Sequence, residues 1–326
     1  SGLFQNIVDG TVFFAIFAAL KYDMEHYYGE IAGVGTAICW TATSMFFEAA
    51  GKRIGSLSVN LIRLFIAFAL LGIANWISRG LFLPLDASMH NWLWLALSGL
   101  IGFTIGDLLL FQAFVVVGAR VSMLVMALSP PMAAISGWII LGETMEISAI
   151  LGMAITLTGI MMVVLNKPAR TTNGKKARLK DWFTNPLGLL LAFGGATGQA
   201  IGLVLSKKGM ADYDVVASTH IRVMAGAIGF MIVFFFMKRW HNVFAALKNG
   251  KAMLFTSGGA FFGPFLGVTL SLVAVRFTTA GVAQTLMSLT PVIILAPAAF
   301  IFKEQVTPRE IIGAFVAVGG VALFFL

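Results

Sequence analysis

Ten predominantly apolar runs, each near the roughly 20 residues a helix needs to cross a bilayer, follow one another with short polar breaks between them. They lie near 31–50, 57–78, 92–114, 119–141 and 147–165, and then near 186–206, 215–237, 252–274, 278–301 and 309–326. Runs this long and this evenly apolar predict helices and not barrel strands, because in lipid every backbone N–H and C=O must be satisfied internally. The longest polar connection, 166–185, carries Lys167, Arg170, Lys175, Lys176, Arg178 and Lys180 and divides the runs five and five. It is the natural basic linker between a first five-helix unit at 30–165 and a second at 186–326. Residues 1–29 read as an N-terminal extension. The apolar stretch 12–20 is short for a span, Asp9 precedes it, and the first methionine is Met24. The part before Met24 is expected to be a non-native upstream segment, with a helix docked at the membrane surface as the alternative.

The two units are copies of one another. At a shift of 161 residues, 118–165 aligns without a gap to 279–326 with 11 identities in 48 positions. Leu128 meets Leu289, Pro130 meets Pro291, Glu143 meets Glu304, Gly152 meets Gly313 and Gly159 meets Gly320. The same shift pairs Gly102 with Gly263 and Gly106 with Gly267, while nearer the start of each unit the shift is 159 and Arg63 meets Arg222. Because five is odd, the second copy must enter the membrane from the opposite side. The predicted fold is therefore an all-α membrane protein of ten transmembrane helices, arranged as two inverted-topology five-helix repeats. In that plan a solute sits near the midplane between the halves and access alternates as they rock.

The residues that carry the repeat also carry a resemblance. Leu128-Ser-Pro-Pro131, Leu141-Gly-Glu143, Gly152 and Gly159, echoed by Leu289-Thr-Pro291, Phe302-Lys-Glu304, Gly313 and Gly320, resemble the signature of the EamA-like branch of the drug/metabolite transporter superfamily. Arg63-Leu-Phe65 and Phe111-Gln-Ala113 fit the same pattern. The resemblance covers about 30–326. It implies an exporter or exchanger of small organic metabolites such as amino acids, in a bacterial inner membrane. It also implies a cavity formed by spans 1, 3 and 4 and their counterparts 6, 8 and 9, which brings Phe111 of span 3 and Gln199 of span 6 among the expected solute contacts.

Composition sharpens this reading. Only 11% of residues are charged against 59% hydrophobic, where a water-soluble chain carries about 25% charged, so the net charge of +8 gives no reason to expect nucleic acid. The expected partners are the lipid bilayer, a small solute and, if flux is coupled, protons, with the chain acting as a monomer or weak dimer. One cysteine, Cys39, rules out an intrachain disulfide framework and multi-cysteine metal sites. No cofactor, no metal and no enzyme motif is read from the chain.

Polar groups inside apolar spans are the candidate chemistry, since they are costly in lipid and mark function by default. Asp107 is the one acid deep in a predicted span, two-thirds along the third. It reads as a proton-coupling site or a counter-charge for a cationic solute, or else as a buried partner of Arg63. Arg63 and Arg222 lie about two turns inside their spans, where they either snorkel to the interface or bind an anionic group. His220 is a satisfied polar group or a relay. Trp40, Ser44 and Glu48 share one face of span 1 and are expected to line the cavity, with the membrane interface as the alternative place for Glu48; Gln284 and Ser288 form a comparable stripe in span 9. Pro130 and Pro291 each free a carbonyl and mark broken helices that serve as gates or only shape the bundle. Glu143 and Glu304 read as structural caps at their span ends. Glycines at 99, 102 and 106, at 194, 198 and 202, and at 259, 263 and 267 read as close-packing faces.

Two further readings stay open. A nucleotide-sugar-type exchanger would need a larger, more basic cavity with Arg63 and Arg222 facing inward; a receptor would have no need of duplicated inverted halves, and an embedded enzyme would need Glu48, Asp107 and His220 within reach of one another. Orientation divides as well. Lys and Arg number 15 on the face bearing the linker and 4 (Arg79, Lys207, Lys208 and Arg276) on the other, which places the linker in the cytoplasm, whereas the resemblance implies cytoplasmic ends.

Overall fold

Apolar length sets the helices. Among the residues described by the computed structural model, 27–166, 186–300 and 306–325, nine helices are long and apolar enough to cross a membrane. The tenth, α1 (Tyr28–Ile54), has ample length at 27 residues but carries Glu30, Glu48, Lys52, Arg53 and several threonines. The expectations for 1–26, for the linker 167–185 and for Glu304 lie outside the described residues.

The first half continues with α2 (Ser56–Arg79) and a third span made of α3 (Met89–Gly99), a π-helical segment Leu100–Gly106 and α4 (Asp107–Val116). The fourth span is α5 (Gly118–Met126) followed by α6 (Ser129–Leu141), and the fifth is α7 (Ile147–Asn166). The second half repeats this order with α8 (Pro186–Met210) and α9 (Val215–Met237). A short helix α10 (Trp240–Leu247) then precedes the eighth span, which is α11 (Gly250–Ala260), a π-helical segment Phe261–Gly267 and α12 (Val268–Phe277). The ninth span is α13 (Ala280–Met287), α14 (Thr290–Ile293) and α15 (Leu295–Phe300), and the tenth is α16 (Pro308–Ala322). Both departures from regular helix recur at the repeat shift of 161 residues: the π segments and the interruptions after Met126 and Met287. Helix starts follow capping chemistry, with Asp214 and Asn249 side chains accepting from Ala217 and Ala252 N–H groups and Ser88 and Thr307 forming reciprocal boxes with Asn91 and Glu310. Gly142, at φ 71°, ends α6 in the left-handed conformation that glycine adopts freely.

Packing obeys an exchange of halves. Span 1 runs along span 8 and meets α13 of span 9, while its counterpart α8 runs along span 3 and meets both pieces of span 4. Spans 2 and 7 pack on each other, as do 4 and 9, and α7 pairs closely with α16. In that last pair Gly159 lies against Ala317 and Gly313, and Gly320 against Thr156 and Gly152. The largest apolar core joins spans 2, 3 and 7 through Leu61, Leu64, Leu71, Phe103, Phe230 and Phe234. Trp76, Ile77, Trp138, Ile139, Phe235 and Phe315 stay exposed on the bundle exterior, as residues solvated by lipid tails should.

Candidate functional site

The polar groups of the spans gather at three levels. The first is buried where spans 2, 3 and 6 meet. Arg63 of α2 forms an ion pair with Asp107 at the start of α4. The other Asp107 oxygen accepts from Gln199 Nε2 of α8 at 2.8 Å, and the same amide reaches Gly102 O at 3.4 Å. The Arg63 guanidinium lies 5.3 Å from the centre of the Phe47 ring of α1. This overturns the snorkelling alternative for Arg63: its side chain is 14% exposed and turned into the bundle. Arg222 does not snorkel either, at 5% exposure, with its guanidinium 5.1 Å from the centre of the Phe103 ring. Gln199 and Asp107 are thus brought together as solute contacts were expected to be, but around a carboxylate whose two oxygens are both engaged.

The second level is the pair of helix interruptions. Pro130 and Pro291 stand in the first turn of the helices that resume there, where a missing N–H costs nothing. The carbonyl freed by Pro291, that of Met287, accepts from Thr290 Oγ1 at 3.1 Å. Gln284 of α13 donates to Ser129 Oγ at the α6 start, 2.9 Å, and Ser129 Oγ donates to Ala196 O of α8, 3.4 Å. Across the exchange of halves, Thr41 of α1 reaches Thr290 O at 3.5 Å. Ser288 turns back to its own helix, donating to Gln284 O at 2.8 Å. Ser129 and Thr41 are therefore partners that sequence reasoning did not single out, although Ser129 sits inside the repeated motif.

The expected stripe on α1 divides. Trp40 is half-buried against Gly267, whose Cβ would meet its ring at 3.0 Å. One turn on, Ser44 is exposed and donates to Thr41 O at 2.8 Å. Glu48 is exposed and pairs with Lys52 of the same helix at 2.5 Å. Phe111 is half-buried. His220 faces Asn75, 3.1 Å, so Glu48, Asp107 and His220 each have a different partner in a different place.

The third level lies at the membrane face that holds the ends of spans 6 and 8 and the start of span 9. Glu143 does more than end its own span. It accepts from the Ala280 N–H at 2.8 Å and pairs with Lys207 at 2.5 Å, and Lys207 also donates to Thr278 O at 2.7 Å. Nearby, Arg79 pairs with Asp86 and donates to the Tyr213 hydroxyl at 3.2 Å, and that hydroxyl donates to Asp86 at 2.8 Å. Burial would raise the Asp86 carboxyl, but the Tyr213 hydroxyl, a backbone N–H and Arg79 hold it below the usual carboxylate range. Asn91 donates to Gly209 O at 2.7 Å. Of these, the contacts of Glu143 with Ala280 and Lys207, of Tyr213 with Arg79 and Asp86, and of Asn91 with Gly209 cross from one half to the other. The remaining basic residues of this face are engaged too, Lys208 over Trp94 at 4.1 Å and Arg276 with Tyr213 O at 3.4 Å.

Comparison with known proteins follows the same division into halves. No curated protein sequence matches the chain. A solved crystal structure superposes with a TM-score of 0.73 over 92% of this chain and 97% of its own, at 16% identity, which speaks for the fold alone. The profile of the EamA-like transporter family matches twice, over residues 27–165 and again over 186–326. With both halves matched and ten helices inverted between them, the chain belongs to the EamA-like transporter family and is a multi-pass membrane transporter.

Proposed function

We propose that this transporter exports or exchanges small organic metabolites such as amino acids, and that it does so by alternating access between its halves. One observation carries the reading: polar contacts at one membrane face tie the first half to the second. Glu143–Lys207, Arg79–Tyr213–Asp86 and Asn91–Gly209 form a latch on the face bearing the chain ends. Toward the linker face, exposure along α1 rises from Trp40 to Ser44 and Glu48, and the Glu48–Lys52 pair joins residues of one helix only. This supports a state latched on one side, with the interrupted helices of spans 4 and 9 at its centre. Positive charge concentrated on the linker face, with the other face's four basic residues consumed by contacts, favours a cytoplasmic linker in a bacterial inner membrane. The engagement of both Asp107 oxygens favours a structural counter-charge over a proton-coupling acid.

The test is counterflow of a radiolabelled amino-acid and metabolite panel in proteoliposomes, with and without a pH gradient, for the wild type and Asp107→Asn. Saturable exchange of at least one small metabolite is expected, with the pH profile unchanged in the variant. Saturable flux that loses its pH dependence in Asp107→Asn would return that residue to a coupling role. Absence of flux for every solute in folded protein would overturn the substrate assignment.

A further inference from the structure

Two arginines occupy matched places in the halves, but only one has an acid. Arg63 has Asp107; the residue that the repeat places opposite Asp107 is Val268, buried in an apolar cluster. Arg222 accordingly has buried Nε and Nη1 groups with no hydrogen-bond partner, although it is 95% buried by its 5% exposure. One turn earlier on the same face of α9, Ser218 is fully buried with its Oγ unpartnered as well. A guanidinium does not shed its proton inside a protein, and the face of the Phe103 ring offsets only part of the cost of a buried charge that has no counter-ion. The arrangement is one anion short.

The glycines around Arg222 differ in how tightly they are packed. Gly99, Gly198 and Gly202 are held by close helix approach: a Cβ at Gly99 would come within 2.2 Å of Arg222 O, and one at Gly198 or Gly202 within 2.9 Å of the opposing Gly106 or Gly102 Cα, while one at Gly106 would be crowded by its own span, 3.2 Å from Ile101 O. Gly102 differs. A Cβ there would meet only ordinary contacts, Gly202 Cα at 3.7 Å, Arg222 Nη2 at 3.8 Å and Gly198 O at 4.0 Å. Packing therefore does not demand glycine at this position, and a methyl added there would press on the Arg222 guanidinium, close to Gln199 and Asp107.

We infer that Arg222, with Ser218 one turn before it and Gly102 against its Nη2, forms the seat for the carboxylate of the carried solute. A carboxylate is planar, matches a guanidinium through paired N–H···O bonds, and brings the single negative charge that is missing. A nucleoside diphosphate would bring more charge than one free arginine offsets. The inference assigns a substrate class within the transporter reading and rests on that reading for its transport arm only.

The test compares free acids with their carboxamides, which differ in the carboxylate alone: acetate with acetamide, and glycine, L-alanine, L-leucine and L-phenylalanine with their amides. Binding is read from ligand-dependent thermal unfolding of the full chain in detergent at constant ionic strength, and transport from counterflow of the same compounds. Wild type should prefer the acid by about tenfold or more in half-saturating concentration, the scale of one charge-assisted hydrogen bond. Arg222→Gln should bring acid and amide within about twofold. Gly102→Ala, whose methyl fits without displacing a helix, should unfold at the wild-type temperature and lose at least about threefold of the preference. A folded Arg222→Gln protein that keeps the preference overturns the assignment. Where that variant does not fold, an unaltered preference in Gly102→Ala overturns it instead. Equal stabilisation by chloride and acetate would make the seat a general anion site and not a carboxylate site. Flux without acid preference overturns the seat alone; acid-specific binding without flux overturns the transport reading alone.

Discussion

The Arg63–Asp107 pair offers the sharpest energetic test, because both charges lie inside the bundle, with side-chain exposures of 14% and 9%. Removing either partner leaves the other charged and buried. Asp107→Leu would strand a guanidinium whose Nε already lacks a partner, and Arg63→Met would leave the carboxylate with Gln199 alone. Each single change should cost about 3–5 kcal/mol, the range for breaking a buried pair from one side. The double variant exchanges the pair for apolar side chains and should lie within about 1–2 kcal/mol of wild type. Thermal unfolding of the four proteins in one detergent reads the cycle. At about 2–4 °C per kcal/mol for a large domain, the single variants should fall by roughly 6 °C or more, and the double by roughly half that or less. The coupling energy should therefore be at least about 4 kcal/mol, beyond the roughly 0.5–3 kcal/mol usual for residues in contact. Additive losses, or single losses under about 1 kcal/mol, would refute the reasoning. They would mean that water screens the pair as it does at a surface, and Asp107 would then be a hydrated acid free to exchange protons.

Two further outcomes follow from the packing and the latch. Gly159→Ala should lower the unfolding temperature, because its Cβ would collide with Ala317 and Gly313 of α16, whereas Gly319→Ala, with nothing within 4 Å, should leave it unchanged or raise it by the helix propensity of alanine over glycine, up to about 1 kcal/mol. For the latch, the folded Asp86 carboxyl titrates below its ordinary value, so its contribution is fully present above the unfolded value of about 3.9 and is lost as pH falls through the lower folded value. Between pH 6 and 8 wild type and Asp86→Asn should therefore differ by a constant amount, and the difference should shrink only below about pH 4; a difference that varies across neutral pH would point to another group.

Length and periodicity predicted the spans to within a few residues at most ends, because the bilayer imposes one length and one backbone solution on every crossing. The repeat foretold more than the fold. Matching prolines announced the interruptions of spans 4 and 9, and the π segments of spans 3 and 8 fall on glycine pairs that self-alignment had already brought together, Gly102 with Gly263 and Gly106 with Gly267. Their spacing spoke only of packing, since a π turn leaves no period in the sequence.

Partners were less legible than positions. Depth along a span says where Arg63 and Arg222 sit but not which way they point, so snorkelling and anion binding are open for both until the partners are seen. Self-alignment nevertheless held the difference: Asp107 in one copy, Val268 in the other. Symmetric duplication builds the inverted frame, and function is expected where the copies disagree, because a solute without twofold symmetry is best matched by different groups in the two halves. Along this chain the disagreements gather at spans 3, 6 and 7, where glycines of span 3 meet glycines of span 6 while those of span 8 meet Trp40, Thr43 and Phe47 of α1. The same spans hold Asp107, the Gln199 amide that binds it and the Arg222 guanidinium that has no counter-ion. The asymmetry between the halves, more than any motif within either, is what points from the fold to a seat for the solute.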